Sequence, residues 1–515
     1  MRTESMSLEE KIGQMFVGGF PGTGVSGDFA RLVREKKLGN AILFSHNVES
    51  IGQLVGLSGE LRGLIRKETG ILPFISADEE GGMVSRLPAE AAIMPSPMAQ
   101  AKAGKPGWIR RGAFITGCQL KRWGINFNLA PVLDRNTNRN NSVIGVRSFG
   151  ADAGTVCTCA KEAVLGYRKA GILCSGKHFP GHGDTDLDSH LALPVLEKSE
   201  EELESCELVP FRRMVEEKIP AITVAHVVAP AISGERVPCT MSRNAVTGYL
   251  REKLHFDGLI LSDCLEMNAV KSYFGVERGA VEAVKAGIDL VFVSHTAALL
   301  EKAMDAVRSA VTAGEIPQRR IDEAVFRILR AKERLLDEEL RAYTPQLTEW
   351  RAFSDSFLKE TLRPLRPGQA CFSPGEHPLF VGIAPARTSG AANEVGGSRD
   401  FAHFLQESFG GTAVCLSMKP DRESAARAAE LAKQADTVVF GSFNQRLYPE
   451  QNALFSALAA AEKPMAHIAL GNPWDLDDDR ISAFRLPLYE YSERALNLLK
   501  AYLTSSSDTG VPRSE

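Results

Sequence analysis

Eight short apolar runs, each followed by a stretch of helical periodicity, recur along the first two-thirds of the chain. They fall at residues 14–19, 40–45, 72–77, 125–130, 172–177, 221–226, 258–263 and 289–294. Each is rich in Val, Ile, Leu or Phe, as a strand covered on both faces requires. The stretches between them suit helices. Residues 199–218, SEEELESCELVPFRRMVEEK, open acidic and turn basic, which complements a helix dipole. Residues 280–287 and 298–313 are also periodic. Eight strand–helix units predict an α/β chain that begins with a (β/α)8 TIM barrel. An open doubly wound sheet has the same alternation and is the competing arrangement.

Residues 321–336 read as the helix that closes the barrel, which places a catalytic barrel at 1–336. Residues 337–370 carry Pro345, Pro364 and Pro367 in a mixed pattern, a linker or a bridging pair of helices. Four further strand-like segments follow, PLFVGIAP, TAVCLSM, DTVVFGSF and PMAHIALGN, separated by helical stretches. They predict a smaller C-terminal α/β domain, an αβα sandwich over 371–504. The tail 505–515, SSSDTGVPRSE, is expected to be flexible.

The 515 residues include 60 Lys and Arg against 64 Asp and Glu, a formal net charge of −4. That balance offers nothing to nucleic acid or to an anionic membrane surface. No apolar run nears the roughly 18 residues of a membrane span. The opening MRTESMSLEEKIGQ has no apolar signal core. The nine cysteines are odd in number and scattered, and Cys157 and Cys159 are too close to bridge. They read as reduced thiols and predict a cytoplasmic protein.

In a barrel of this kind chemistry sits at the C-terminal ends of the strands. The third run is followed by Asp78, Glu79 and Glu80, and then by Arg86. The fourth leads to Asp134 and, in VIGVRSFG, to Arg147. The fifth gives Lys177 and His178 and opens FPGHGDTDLDSH; the sixth ends at His226 and the seventh at Asp263. Polar groups at five successive strand ends point to one converging site. The densest stretch, 177–190, holds His178, His182 and His190 with Asp184, Asp186 and Asp188. It suits a metal site, an acid–base pair of Asp188 with His190, or a solvated turn. Asp263 is either a helix cap before LEMNAV or a nucleophilic carboxylate. Lys177 suits a Schiff base or a fixed cation. Arg86 and Arg147 suit surface ion pairs or ligand binding.

Four segments, DEEGGMVSRL, APVLDRNTNRNNSVIGVRSFG, KHFPGHGDTDLDSH and LSDCLEM, resemble in this order the motifs of glycoside hydrolase family 3. The resemblance is to its β-N-acetylhexosaminidase branch and covers residues 7–335. HIALGNPWDL, residues 467–476, and the preceding helix with Gln451 resemble more weakly the second domain of two-domain members.

The resemblance implies a retaining mechanism, with Asp263 as nucleophile, His190 as general acid/base and Asp188 orienting it. It implies that Asp78, Arg86, Arg147, Lys177 and His178 line the sugar subsite and that Asp134 lies nearby. It implies no metal, no organic cofactor and no obligatory protein partner. The implied reaction is exo-acting release of terminal β-linked N-acetylglucosamine from a small-molecule substrate, a peptidoglycan fragment, during cytoplasmic cell-wall recycling. The residue types suit an oxocarbenium-like transition state, which needs a carboxylate on one face and a proton donor on the leaving oxygen. A carboxylate partner helps an imidazole carry that proton. Gly176, Gly181 and Gly183 would let the loop bearing His190 swing as a lid. Two positions depart from the family pattern. Cys264 stands where many relatives have a second Asp, which would make the site sensitive to thiol reagents. Glu79 stands where Gln is common, which would add charge near the sugar.

Other readings remain at this level. A metal-dependent barrel hydrolase would want His-x-His after the first strand, where GGFPGTG has no His. A Schiff-base aldolase would use Lys177. Substrate-assisted hydrolysis would use Asp78 and Glu79 as the acid pair. A phosphorylase would resolve the same glycosyl intermediate with phosphate. A non-catalytic N-acetylglucosamine-binding protein would have no use for Asp263 together with Asp188 and His190.

Overall fold

The computed structural model describes residues 3–185, 193–339, 346–365, 372–385 and 400–503. Asp186, Asp188, His190 and the 505–515 tail lie outside the described residues. The chain divides into two compact units, Met1–Pro97 with Gly104–Ser354, and Met98–Ala103 with Asp355–Glu515.

The first unit is a closed parallel barrel, not an open sheet. Its strands are β1 (Phe16–Gly18), β2 (Asn40–Leu43), β3 (Phe74–Ala77), β4 (Phe127–Asn128), β5 (Leu173–Phe179), β6 (Ala221–Val224), β7 (Leu259–Cys264) and β8 (Leu290–Val293). They pair in sequence order, and β8 closes on β1 through Phe16–Val291, Val17–Phe292 and Gly18–Val293. The apolar runs have their physical reason here. Every residue in β1 to β6 and β8 is buried, so no face needed polar residues. Only the last two residues of β7, Asp263 and Cys264, reach partial exposure.

Parallel neighbours require crossovers, and the helices supply them. The helix Ala153–Ala170 starts where Asp152 accepts the Thr155 N–H and stops at Gly171, whose φ of 73° ends the helical run. One expected helix is broken. Residues 199–218 form two helices, Glu200–Ser205 and Val209–Glu216. Pro210 has no N–H with which to continue the first, and instead sits in the opening turn of the second.

Buried ionisable side chains lie at the N-terminal ends of the strands, opposite the face where the strand ends converge. Asp289, just before β8, is bonded by Arg251, Arg320 (3.1 Å) and Arg327 (3.2 Å), and it accepts the Ile260 N–H at 3.0 Å. Lys332, from the helix Gln318–Glu339, is fully buried. It donates to Gln14 Oε1 at 2.8 Å and to the Gly39 carbonyl at 3.2 Å, 4.9 Å from the Phe74 ring centre.

The second unit carries a five-stranded parallel sheet in the order β10-β9-β11-β12-β13. The strands are β9 (Leu379–Ile383), β10 (Thr412–Leu416), β11 (Val438–Ser442), β12 (Met465–Ala469) and β13 (Phe484–Pro487). The reversal of order at β9 makes it doubly wound, since right-handed crossovers then fall on both faces. Four strands match the expected segments. The fifth, β13, has the sequence FRLP, too short and too polar to announce itself, and as an edge strand it tolerates Pro487. His467 on β12 is buried in a polar network, with Nδ1 3.0 Å from Asp479 and Nε2 3.0 Å from Ser442. Gln451 is also buried. It accepts the Phe443 N–H and donates to the Phe443 and Met418 carbonyls. Both residues of this weaker motif therefore serve the interior of their own unit.

Candidate active site

The C-terminal ends of β3, β4 and β5 bring their charged residues into one connected network. Lys177 donates to Asp78 Oδ1 at 2.7 Å and lies 2.6 Å from Glu80 Oε1. The Arg147 guanidinium grips Glu80 with two parallel bonds of 2.8 Å. Arg86 lies 3.7 Å from the other Asp78 oxygen. Burial works against these charges, but their mutual pairing outweighs it. Glu80 is held well below the usual carboxylate range by Arg147 and Lys177. Lys177 is raised by Asp78 and Glu80. A Schiff-base lysine needs a free amine, and Lys177 is instead a clamped ammonium, so the aldolase reading has no nucleophile here.

His178 joins the network from the same stretch of β5. The β5–β6 register shifts between Gly176 and Phe179, so consecutive residues here do not follow regular alternation. Asp134, wholly buried beyond β4, receives His178 Nδ1 at 2.6 Å and the His182 backbone N–H at 2.7 Å. Burial would raise this carboxyl, but His178 outweighs it and keeps the group below its usual value. With Nδ1–H given to Asp134, His178 presents Nε2 as an acceptor, 3.4 Å from Arg147 Nη2. Asp134 is thus a positioning residue for His178.

Asn141 holds the next layer. Its Nδ2 donates to the carbonyls of His182 (2.8 Å) and Thr185 (2.9 Å). Its Oδ1 accepts the N–H groups of Val143 and Ile144 at 2.9 and 2.7 Å. The Arg147 loop and the segment leading to Asp188 and His190 are tied together through this carboxamide and by Thr137 Oγ1, which donates to Asp184 at 2.7 Å. The glycines nearby answer to packing. A Cβ on Gly183 would meet the Arg135 carbonyl at 1.8 Å, and one on Gly176 would meet Leu133 at 2.5 Å.

Asp263 lies within β7, and its Oδ1 accepts the Cys264 N–H at 2.8 Å. The following helix is Asn268–Lys271 with Met267 at its cap, so Asp263 is no helix cap. The role of His226 becomes clear. It receives or donates at Thr240 Oγ1 (2.7 Å) and reaches the Cys264 carbonyl with Nε2 at 2.9 Å, fixing the backbone beside Asp263. Burial pushes the Cys264 thiol up to about 11, which lowers its thiolate fraction at neutral pH.

Glu79 does not add charge to the sugar side in the way expected. It is buried, and its Oε2 accepts from Ser85 Oγ (2.7 Å) and from the Arg86 N–H (2.8 Å). Burial pushes its carboxyl up to about 7. Asp78 and Glu79 hold different partners and form no acid pair. Asp78, Arg86, Arg147, Lys177 and His178 are brought together; Asp263 stands on β7 at the same end of the barrel; Asp188 and His190 lie outside the described residues. Asn141 is a member that sequence reasoning missed, and Glu80 was named at its strand end without a role. Glu80 had a signal, two residues past Asp78 at the same strand end. Among the described residues no group of three or more His, Cys, Asp and Glu is placed to hold a metal ion.

Residues 7–331 match the family model described as the glycosyl hydrolase family 3 N terminal domain. A β-hexosaminidase from Alkalilimnicola ehrlichii is 36% identical over 291 residues, 54% of this chain and 79% of that protein. β-Hexosaminidase A from Pseudoalteromonas piscicida is 30% identical over 330 residues, 60% of this chain, which spans about half (55%) of that longer relative. A family 3 β-N-acetylglucosaminidase structure from Paenibacillus sp. str. FPU-7 superposes with a TM-score of 0.89 at 34% identity, covering 97% of this chain and 98% of that one.

Proposed function

Since the chain belongs to glycoside hydrolase family 3, we propose that it is an exo-acting, retaining β-N-acetylglucosaminidase that removes terminal N-acetylglucosamine from peptidoglycan fragments. The observation that carries this reading is the buried chain Asp78–Lys177–Glu80–Arg147–His178–Asp134 at the strand ends that also present Asp263. A neutral sugar is held by such alternating charges because charge-assisted hydrogen bonds to its hydroxyls strengthen as the ring distorts. The likeness over nearly the whole chain to a β-N-acetylglucosaminidase supports the choice of sugar.

In the proposed mechanism an Asp263 oxygen attacks the anomeric carbon. The bond to the leaving oxygen breaks as the His190 imidazolium passes its proton to that oxygen. Asp188 keeps His190 oriented. Water then attacks the same carbon, gives its proton to the now neutral His190, and releases Asp263. Lys177 and Arg147 hold sugar hydroxyls, and His178 Nε2 accepts from one. Loss of either Asp188 or His190 removes the proton path while leaving Asp263 in place.

The test is release of nitrophenol from its β-N-acetylglucosaminide, beside the β-glucoside, with and without phosphate. Turnover of the acetamido sugar alone, with retained stereochemistry and no response to phosphate, is expected. Sugar 1-phosphate as product would make the protein a phosphorylase, and binding without turnover would make it a sugar-binding protein.

A further inference from the structure

The three consecutive acidic residues beyond β3 do not share one task. Asp78 and Glu80 both reach the Lys177 ammonium, at 2.7 and 2.6 Å. Glu79, between them, is buried and held from two sides. Asn128, fully buried on β4, grips its backbone: Oδ1 accepts the Glu79 N–H at 3.0 Å, and Nδ2 donates to the Glu79 carbonyl at 2.9 Å. The Glu79 side chain closes the turn that follows. Its Oε2 accepts from Ser85 Oγ and from the Arg86 N–H, and Ser85 Oγ accepts the Leu87 N–H at 3.3 Å.

This carboxyl joins Asp78 to Arg86, through the chain on one side and a hydrogen bond on the other. The Arg86 guanidinium approaches Asp78 to 3.7 Å, a longer contact than the ion pairs that Lys177 and Arg147 make. The ionisable groups around Glu79 are Arg86 on the turn, Asp78 and Glu80 on its own strand end, and Tyr167 on the helix Ala153–Ala170. Tyr167 bonds to Asn128, and burial holds its phenol above the usual value, so it stays neutral. Of these groups Arg86 alone is a cation. A charged Glu79 adds a third negative charge to the strand end and attracts the Arg86 guanidinium. That pull takes the guanidinium away from Asp78.

Resting on the glycosidase reading, which places Asp78 and Arg86 at the sugar, we propose that Glu79 is a positioning residue that keeps the sugar subsite in its binding form as a neutral carboxylic acid, so that binding the sugar and keeping a proton on Glu79 are coupled. Burial already favours the neutral form, pushing this carboxyl up to about 7. A sugar bonded to Asp78 and Arg86 stabilises the protonated state, and by linkage the proton strengthens sugar binding by the same factor. Loss of the proton above pH 7 loosens the subsite without touching the reacting atoms. The effect therefore belongs to KM rather than to kcat.

The experiment is calorimetric titration with N-acetylglucosamine at pH 6 and pH 8.5, and at pH 7.5 in two buffers of different ionisation enthalpy, which counts protons taken up on binding. Wild type is expected to bind about tenfold more weakly at pH 8.5 than at pH 6, and to take up about half a proton per sugar at pH 7.5. In Glu79→Gln, which keeps the acceptor and cannot ionise, both effects are expected to be lost. Any other proton exchanged at the site is common to the two proteins, so their difference isolates Glu79. Ser85→Ala removes one donor from the carboxylate and is expected to move the fall in affinity to higher pH. No proton uptake by wild type, the same uptake in Glu79→Gln, or an unmoved fall in Ser85→Ala each overturns the proposal. Wild type that binds the sugar at neither pH overturns the choice of sugar in the glycosidase reading, and this proposal with it.

Discussion

Glu80 and Arg147, 67 residues apart in the chain, meet through two 2.8 Å bonds with carboxylate and guanidinium both removed from solvent. Lys177 takes the same Glu80 oxygen from another side at 2.6 Å. One carboxylate therefore holds two cations that would otherwise repel.

Glu80→Gln leaves those cations buried with only Asp78 between them and solvent. The expected cost is about 3–5 kcal/mol of stability, the usual result of breaking a buried pair from one side. Displacement of Arg147 and Lys177 by about an ångström is expected to lower kcat/KM roughly a hundredfold. Thermal denaturation and steady-state kinetics check both, and a variant with wild-type Tm would remove Glu80 from its organising role.

Asp263→Ala is expected to lower kcat for the nitrophenyl acetamido sugar by about four orders of magnitude, since a nucleophile and not a binding contact is removed. Its Tm is expected to stay near wild type, because the side chain is only half-buried and accepts the adjacent Cys264 N–H. Activity within tenfold of wild type would return the reaction to the substrate's own acetamido group.

Glu79 sets a pH dependence of stability. Its folded value near 7 lies above the ordinary 4.5 because burial disfavours the charge. Its favourable contribution is therefore complete below about pH 4.5 and is lost as pH rises through 7. The loss amounts to about 3 kcal/mol. Glu79→Gln keeps an acceptor for Ser85 and Arg86 and cannot ionise. Urea unfolding at pH 5 and pH 8 should show wild type losing stability relative to the variant, and parallel curves would contradict the assignment.

Lys332 acts in the opposite sense at the other end of the barrel. Burial holds its ammonium well below the usual lysine range. The folded state binds fewer protons than the unfolded one, so its contribution is present above pH 10.5 and fades as pH falls toward the folded value. Within that window wild type is expected to gain about 1.4 kcal/mol per pH unit relative to Lys332→Met. Denaturation at pH 8 and pH 9.5 measures the difference, and a constant gap between the two proteins would count against a neutral amine.

The barrel was legible because burial on both faces writes a strand as an uninterrupted apolar run, and all eight runs overlap a strand. The strand β13 was not, since FRLP carries a buried Arg485 whose partners, the Leu476 and Asp479 carbonyls, come from a loop before it. The helix at 199–218 kept its charge pattern while Pro210 divided it. Residues at strand ends were legible by type, but their pairings were not. Nothing local says that Glu79 turns to Ser85 while its neighbour Glu80 crosses to Arg147. Those choices depend on which cation the closed barrel brings near, and so on contacts spanning dozens of residues.

The Asn141 carboxamide has a practical meaning for anyone who transplants parts of this barrel. The strip from Asn136 to Arg147 and the strip from His182 to Thr185 behave as one module with a shared fastener. Exchanging the 136–147 strip for one without Asn141 would leave the His182 and Thr185 carbonyls without that donor. Changes in substrate preference should therefore be sought by moving the strips as a pair.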